Sequence, residues 1–116
     1  MSSRDGDDRL RDIIERVTRI NFSENMLIAA EENADRDVAN TAFDAILYDL
    51  VVIGEAVKTF DDEIKSRHPQ IPWKEIMGMR DILAHQYFRV NISLVRTTID
   101  TPLKNLRLAC IEELAR

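Results

Sequence analysis

Residues 43–57 read Phe43-Asp44-Ala45-Ile46-Leu47-Tyr48-Asp49-Leu50-Val51-Val52-Ile53-Gly54-Glu55-Ala56-Val57. Phe43, Leu47, Leu50, Gly54 and Val57 recur at spacings of three and four, the period of one helical face. Ala42, Ala45, Val52 and Ala56 form a second stripe. The segment therefore reads as a long helix from about Asp37 to Phe60 with two packing surfaces. Either its own neighbours cover both, or one meets a partner subunit. Asp49 interrupts the longest apolar region, Ala45 to Ile53, which is too short to span a bilayer.

The rest of the chain continues the helical theme. Only 3 Gly and 3 Pro punctuate 116 residues that are 45% hydrophobic, so long helices are expected rather than many short strands. Leu10, Ile13, Ile14, Val17 and Ile20 mark an amphipathic helix from about Asp7 to Ile20. Asn21-Phe22-Ser23 reads as a break, with Ser23 capping a shorter helix toward Glu32. Asn33 to Asp37 reads as a turn, and Asp61, Asp62, Glu63 and Lys65 as a polar helical turn. His68-Pro69-Gln70-Ile71-Pro72-Trp73 must be extended or turned, because residues before proline avoid the helical region. Pro72 then suits the first position of a helix to about Gln86, with Trp73 anchoring its start. A last helix runs from about Asn91 to Leu114, with Ile92, Val95, Ile99, Leu106 and Cys110 inward and a kink at Pro102. The expected fold is an all-α antiparallel bundle of four main helices plus a short one, a single domain over residues 1–116.

Charge and cysteine usage narrow the function. The net charge of −5 excludes a strongly basic nucleic-acid-binding patch protein. The charge is uneven: residues 1–57 carry 6 Lys/Arg against 13 Asp/Glu, and residues 58–96 carry 7 against 5. An anionic ligand is expected in that positive third. The single cysteine, Cys110, allows no intrachain disulfide and fits a reducing cytoplasm. Met1 to Arg9 has no apolar stretch and does not read as a signal peptide. Two His and one Cys without paired spacing argue against zinc, and three scattered Gly against a phosphate loop.

What remains is Arg80-Asp81-Ile82-Leu83-Ala84-His85-Gln86-Tyr87 near a helix end. A histidine can move a proton to or from a ribose hydroxyl or a leaving oxygen, and an arginine can bind and stabilise a phosphate. On an ideal helix Arg80 and Tyr87 share a face to within about 20°, while Arg80 and His85 diverge by about 140°. Loosening after Ala84 would let them converge. Acid and base together need two proton-transfer groups, and this segment offers one good histidine, so a two-fold dimer is expected to bring two copies together. The bland alternatives are surface ion pairs for Arg80 and Asp81, a hydrogen-bonded core histidine for His85, and core aromatics for Tyr87 and Phe88. His68 has no obvious partner and reads as surface or structural. Gly78, between Met77 and Met79, reads as room for another backbone near Arg80.

The spacing Arg80, four residues, His85, one residue, Tyr87 resembles the R-x4-H-x-Y signature of the HepT-type HEPN ribonuclease toxins. Ile53-Gly54-Glu55-Ala56 is similar to that family's I-G-E-A block, His68 to Trp73 to its H-P-x-I-P-W turn, and Met77-Gly78-Met79-Arg80 to its approach to the motif. The resemblance runs from about Arg9 to Leu114. It implies a HEPN-like homodimeric ribonuclease, independent of metal and cofactor, with Arg80 and His85 as catalytic residues and Asp81 supporting them. It also implies a toxin–antitoxin system in which an MntA-type minimal nucleotidyltransferase uses ATP to transfer AMP to Tyr87. Phosphate placed beside His85 would repel the RNA phosphate. The alternatives are a non-catalytic HEPN module that binds a nucleotidyltransferase or a nucleotide, and a purely structural helical dimer.

Overall fold

The computed structural model of the chain describes residues 4–85 and 92–116, without the side chains of Arg4, Asp5, Ile82, Ala84, His85, Ile92, Leu94 and Thr98. Six helices run through these residues: α1 (Arg4–Glu32), α2 (Arg36–Lys58), α3 (Asp62–Arg67), α4 (Trp73–His85), α5 (Ile92–Ile99) and α6 (Thr101–Leu114). There is no strand among them, and α1, α2, α4 and α6 are the long elements, as expected of an all-α bundle. Two helices are short, the eight-residue α5 and the six-residue α3. α3 falls where the polar helical turn was read, capped by the Asp61 carboxylate, which accepts from Ile64 N at 3.0 Å, whereas no separate short helix runs from Ser23 to Glu32.

The expected break at Asn21–Ser23 does not exist, and α1 is continuous over 29 residues. At 1.5 Å per residue this is about 43 Å, nearly the 49 Å length of the molecule. Leu10, Ile13, Val17, Ile20, Leu27 and Ala30 are buried on one stripe, and Ser23 occupies a position on it, also buried. Phe22 is instead 67% exposed. No Gly or Pro lies between Asp7 and Glu32, so a polar inward residue alone was too weak to stop the helix. A tight turn then reverses the chain, with Ala34 in the left-handed region (φ 54°) and the Asp35 carboxylate accepting from Val38 N at 3.2 Å.

α2 lies at the centre, packed against α1 and α4. Ala42, Ile46, Leu47, Leu50, Ile53, Gly54 and Val57 are all buried, while Ala45, Val52 and Ala56 are half-buried. Much of the two-sided apolar pattern is thus spent inside the chain itself. Tyr48 remains 62% exposed.

Asp49 breaks the apolar run for a reason. It is buried, and Arg16 Nη1 of α1 donates to its Oδ1 at 2.9 Å. The Arg16 guanidinium also lies 5.6 Å from the Tyr48 ring centroid, and its Nε sits 3.6 Å from Asp12. This pair fixes the register of α1 on α2.

The last helix is broken rather than kinked. The chain departs from helical geometry at Asp100 (ψ −114°), and Pro102 falls in the first turn of α6, where its missing N–H leaves nothing unbonded. Val95, Ile99, Leu106 and Cys110 point inward as expected. Arg96 of α5 holds Glu31 of α1, Nη2 to Oε1 at 2.6 Å. Among the described residues no helix is long and apolar enough to cross a membrane.

Removing one partner of a buried ion pair strands the other, at a cost of about 3–5 kcal/mol when both are dry. Arg16 keeps a fifth of its side chain exposed, so Asp49→Ala is expected to cost about 2–3 kcal/mol in urea unfolding. Arg16→Met combined with Asp49→Leu should recover most of that loss.

Candidate active site

Two blocks of sequence set the position of the Arg80–His85 segment. The first is the turn His68–Trp73. His68 ends α3, and its carbonyl accepts from Ile71 N at 3.2 Å and from Trp73 Nε1 at 3.0 Å. Trp73 Nε1 also reaches Lys65 O at 3.2 Å, so one indole satisfies two carbonyls at the end of α3. Its ring packs edge-on against Phe60, with centroids 6.0 Å apart. α4 begins at Trp73, with Pro72 just outside as its cap, its carbonyl accepting from Ile76 N at 3.0 Å.

His68 is neither on the surface nor without a partner. It is 5% exposed, and its Nε2 lies 2.7 Å from Glu113 Oε2 on α6. Arg67 grips the same carboxylate through Nε at 3.0 Å and Nη2 at 2.5 Å. The Arg67 hydrogen bond, then the one from His68, pulls the Glu113 carboxyl down to about 2 against the opposing effect of burial. An ionised carboxylate only accepts, so His68 Nε2–H donates. The sequence hid this because the partner lies 45 residues away, on a helix whose charges look solvated.

The second block is Ile53-Gly54-Glu55-Ala56 on α2. A Cβ added to Gly54 would lie 2.6 Å from Arg80 Cβ and 3.3 Å from Ile76 O. No real side chain tolerates the first distance, so α2 and α4 cross here only because residue 54 is glycine. Gly78, expected to provide that space, has nothing within 4 Å of the corresponding position among the described residues. One residue beyond Gly54, Glu55 Oε1 pairs with Arg80 Nε. Asp81 Oδ1 takes Arg80 Nη1 at 2.8 Å. Asp81 first and Glu55 second raise the Arg80 pKa further above its ordinary value, so the guanidinium is a permanent cation. Its side chain is 32% exposed, between carboxylates 49% and 56% exposed.

The sequence-derived site is thus placed in part. Arg80 and Asp81 are joined, on the accessible side of α4. His85 is the last residue of α4, and its side chain lies outside the described residues, as does Tyr87 entirely. Glu55 is a contact of the site that residue chemistry alone missed, although its block was visible as a motif. Much of the positive charge read in residues 58–96 is already engaged: Arg67 by Glu113, Arg80 by Glu55 and Asp81, Arg96 by Glu31. Arg80 lines neither of two clefts of about 510 and 530 Å³, which lie against α1 and α6. Cys110 is buried, and burial pushes its thiol up to about 12, so it offers no nucleophile. Among the described residues no cluster of His, Cys, Asp and Glu could hold a metal ion.

The family described as Ribonuclease HepT-like matches residues 7–112, and the chain belongs to that family. A protein of Caldanaerobacter subterraneus subsp. tengcongensis named "Putative RNase" is 41% identical over 75% of this chain and 68% of its own. A Methanocaldococcus jannaschii protein of the same name is 41% identical over 84% of this chain and 78% of its own. "Probable ribonuclease HepT" of Thermococcus cleftensis is 38% identical over 54% of this chain and 57% of its own. No solved structure matches the chain at comparable significance.

Two measurements check the framework. Gly54→Ala should cost about 1–3 kcal/mol through overpacking, whereas Gly78→Ala, with no described atom in the way of its Cβ inside a helix, should gain about 0.5–1 kcal/mol; denaturant titration of both variants decides. Glu113 has a depressed folded pKa, so its contribution is complete above the unfolded value of 4.5 and disappears as pH falls toward 2. The difference in melting temperature between wild type and Glu113→Gln should therefore be largest near neutral pH and shrink between pH 4.5 and 2.

Proposed function

We propose that the chain is the toxin of a HepT/MntA-type toxin–antitoxin system, an endoribonuclease that cuts RNA without metal. The observation that carries this is the state of Arg80. A permanent cation opens the R-x4-H segment, reachable from solvent, with two of its three nitrogens held by carboxylates. Arg80 binds the scissile phosphate and stabilises its growing charge. His85, five residues on in α4, either takes the proton from the ribose hydroxyl or gives one to the leaving oxygen. A second copy of the chain supplies the other proton-transfer group, making a homodimer with one shared cleft. Asp81 supports Arg80. The family and the names of its relatives support the ribonuclease reading.

Control falls to Tyr87. A minimal nucleotidyltransferase antitoxin transfers AMP from ATP to its hydroxyl, releasing pyrophosphate. The added phosphate puts negative charge where the RNA phosphate must sit.

One observation favours a different reading, a non-catalytic module that binds a nucleotidyltransferase or a nucleotide. Arg80 already faces two carboxylates in a chain of net charge −5, which opposes an RNA backbone. Purified protein incubated with RNA in EDTA separates the two. Cutting that His85→Ala abolishes supports the nuclease, and full cutting by that variant refutes it. Wild-type protein inert on diverse RNAs yet tightly bound to a nucleotidyltransferase supports the module. Intact mass after co-expression with that partner is expected to rise by about 329 Da per AMP, and Tyr87→Phe should remove the gain.

A further inference from the structure

Arg80 offers five N–H donors on three nitrogens, in a flat fork on a long flexible stem. A free arginine at a surface samples many rotamers, and a phosphate must fix one of them when it binds, at an entropic cost. Here the fork is not free. Nε is taken by Glu55 from α2, Nη1 by Asp81 from α4, and Nη2 has no partner among the described residues. The two carboxylates come from different helices, and they clamp the guanidinium from two directions. Gly54 makes this possible, because Arg80 Cβ lies where a side chain on residue 54 would be. The stem of Arg80 is thus pressed against α2 while Glu55, the next residue, holds its head.

We infer that Glu55 is a positioning residue of the site, one that holds the Arg80 guanidinium on α2 so that Nη2 is presented to an incoming phosphate in a fixed orientation. This rests on the ribonuclease reading above. Glu55 acts through Arg80 and does not itself meet the reacting atoms. The arrangement carries a cost, since a carboxylate near a phosphate repels it. That cost makes the role testable, because positioning and simple charge predict opposite results. If Glu55 were only a nearby negative charge, removing it would strengthen RNA binding and speed cutting. If it positions Arg80, removing it lowers the rate despite the better electrostatics, because misplacement of a catalytic group by about 1 Å can cost about a hundredfold.

The test uses the full chain as Glu55→Ala and Glu55→Gln, with two readouts. The first is the Arg80 Nε–H signal in a 15N-labelled sample, assigned by its absence in Arg80→Lys. In wild type it should exchange slowly with water. Glu55→Ala should make it exchange fast, and Glu55→Gln, whose amide oxygen still accepts, should keep part of the protection. The second is RNA cutting. For Glu55→Ala kcat should fall about ten- to a hundredfold with KM unchanged or lower, and Glu55→Gln should recover part of kcat. Melting temperatures check that each variant is folded, which the half-exposed position of Glu55 favours. An unchanged Arg80 signal in Glu55→Ala, or cutting as fast as wild type or faster, overturns the inference. If wild type itself cuts no RNA, the function falls, and the Arg80 signal alone decides whether Glu55 holds the guanidinium.

Discussion

The close approach of α2 and α4 at Gly54 is the contact on which the site depends. A helix crossing with a bare Cα on one side lets the arginine stem of the other lie flat against it. Everything nearby serves to hold that crossing. Leu50, Ile53 and Val57 of α2 and Ile76, Met79 and Leu83 of α4 are buried in the same core. The Arg16–Asp49 pair fixes α1 against α2, and the turn His68–Trp73 fixes where α4 starts. Glu113 then ties that turn to α6. Four helices thus converge on the placement of one side chain.

The parts of this that could be read from the sequence were those carried by local pattern. The first stripe of α2, the inward residues Val95, Ile99, Leu106 and Cys110 of α5 and α6, and the helical class follow from spacing alone, and most of these positions are buried, whereas the second stripe of α2 is mostly half-buried. The Arg80–His85 segment stood out by residue type, and the expected place near a helix end is where it lies, at the end of α4. The failures share a cause. Asn21-Phe22-Ser23 was read as a break and Ser23 as the cap of a second helix, yet Ser23 is a small inward residue in a stretch of α1 without Gly or Pro. Pro102 was taken as a kink inside a helix, yet the chain had already left helical geometry at Asp100.

Asp49, His68 and Glu55 expose the deeper limit. Each is polar, and each has its partner on another element: Arg16, Glu113 and Arg80. Periodicity says which way a residue faces, but not which distant residue arrives to meet it. The same limit explains why Gly78, beside Arg80 in sequence, drew attention that Gly54, beside it in space, deserved. The positive balance of residues 58–96 was real as a count and misleading as a field, because Arg67, Arg80 and Arg96 are paired with carboxylates on other helices. What the fold presents is therefore a held cation rather than a basic surface.

The pair of Glu55 with Arg80 is what ties the site to α2. A double-mutant cycle in thermal unfolding tests it without any substrate, comparing Glu55→Gln, Arg80→Met and the combined variant with wild type. Strong non-additivity is expected, with the combined variant melting no lower than the worse single one, since each substitution already breaks the same contact. Melting shifts that simply add would contradict it, and would mean that Arg80 and Glu55 lie side by side without holding each other.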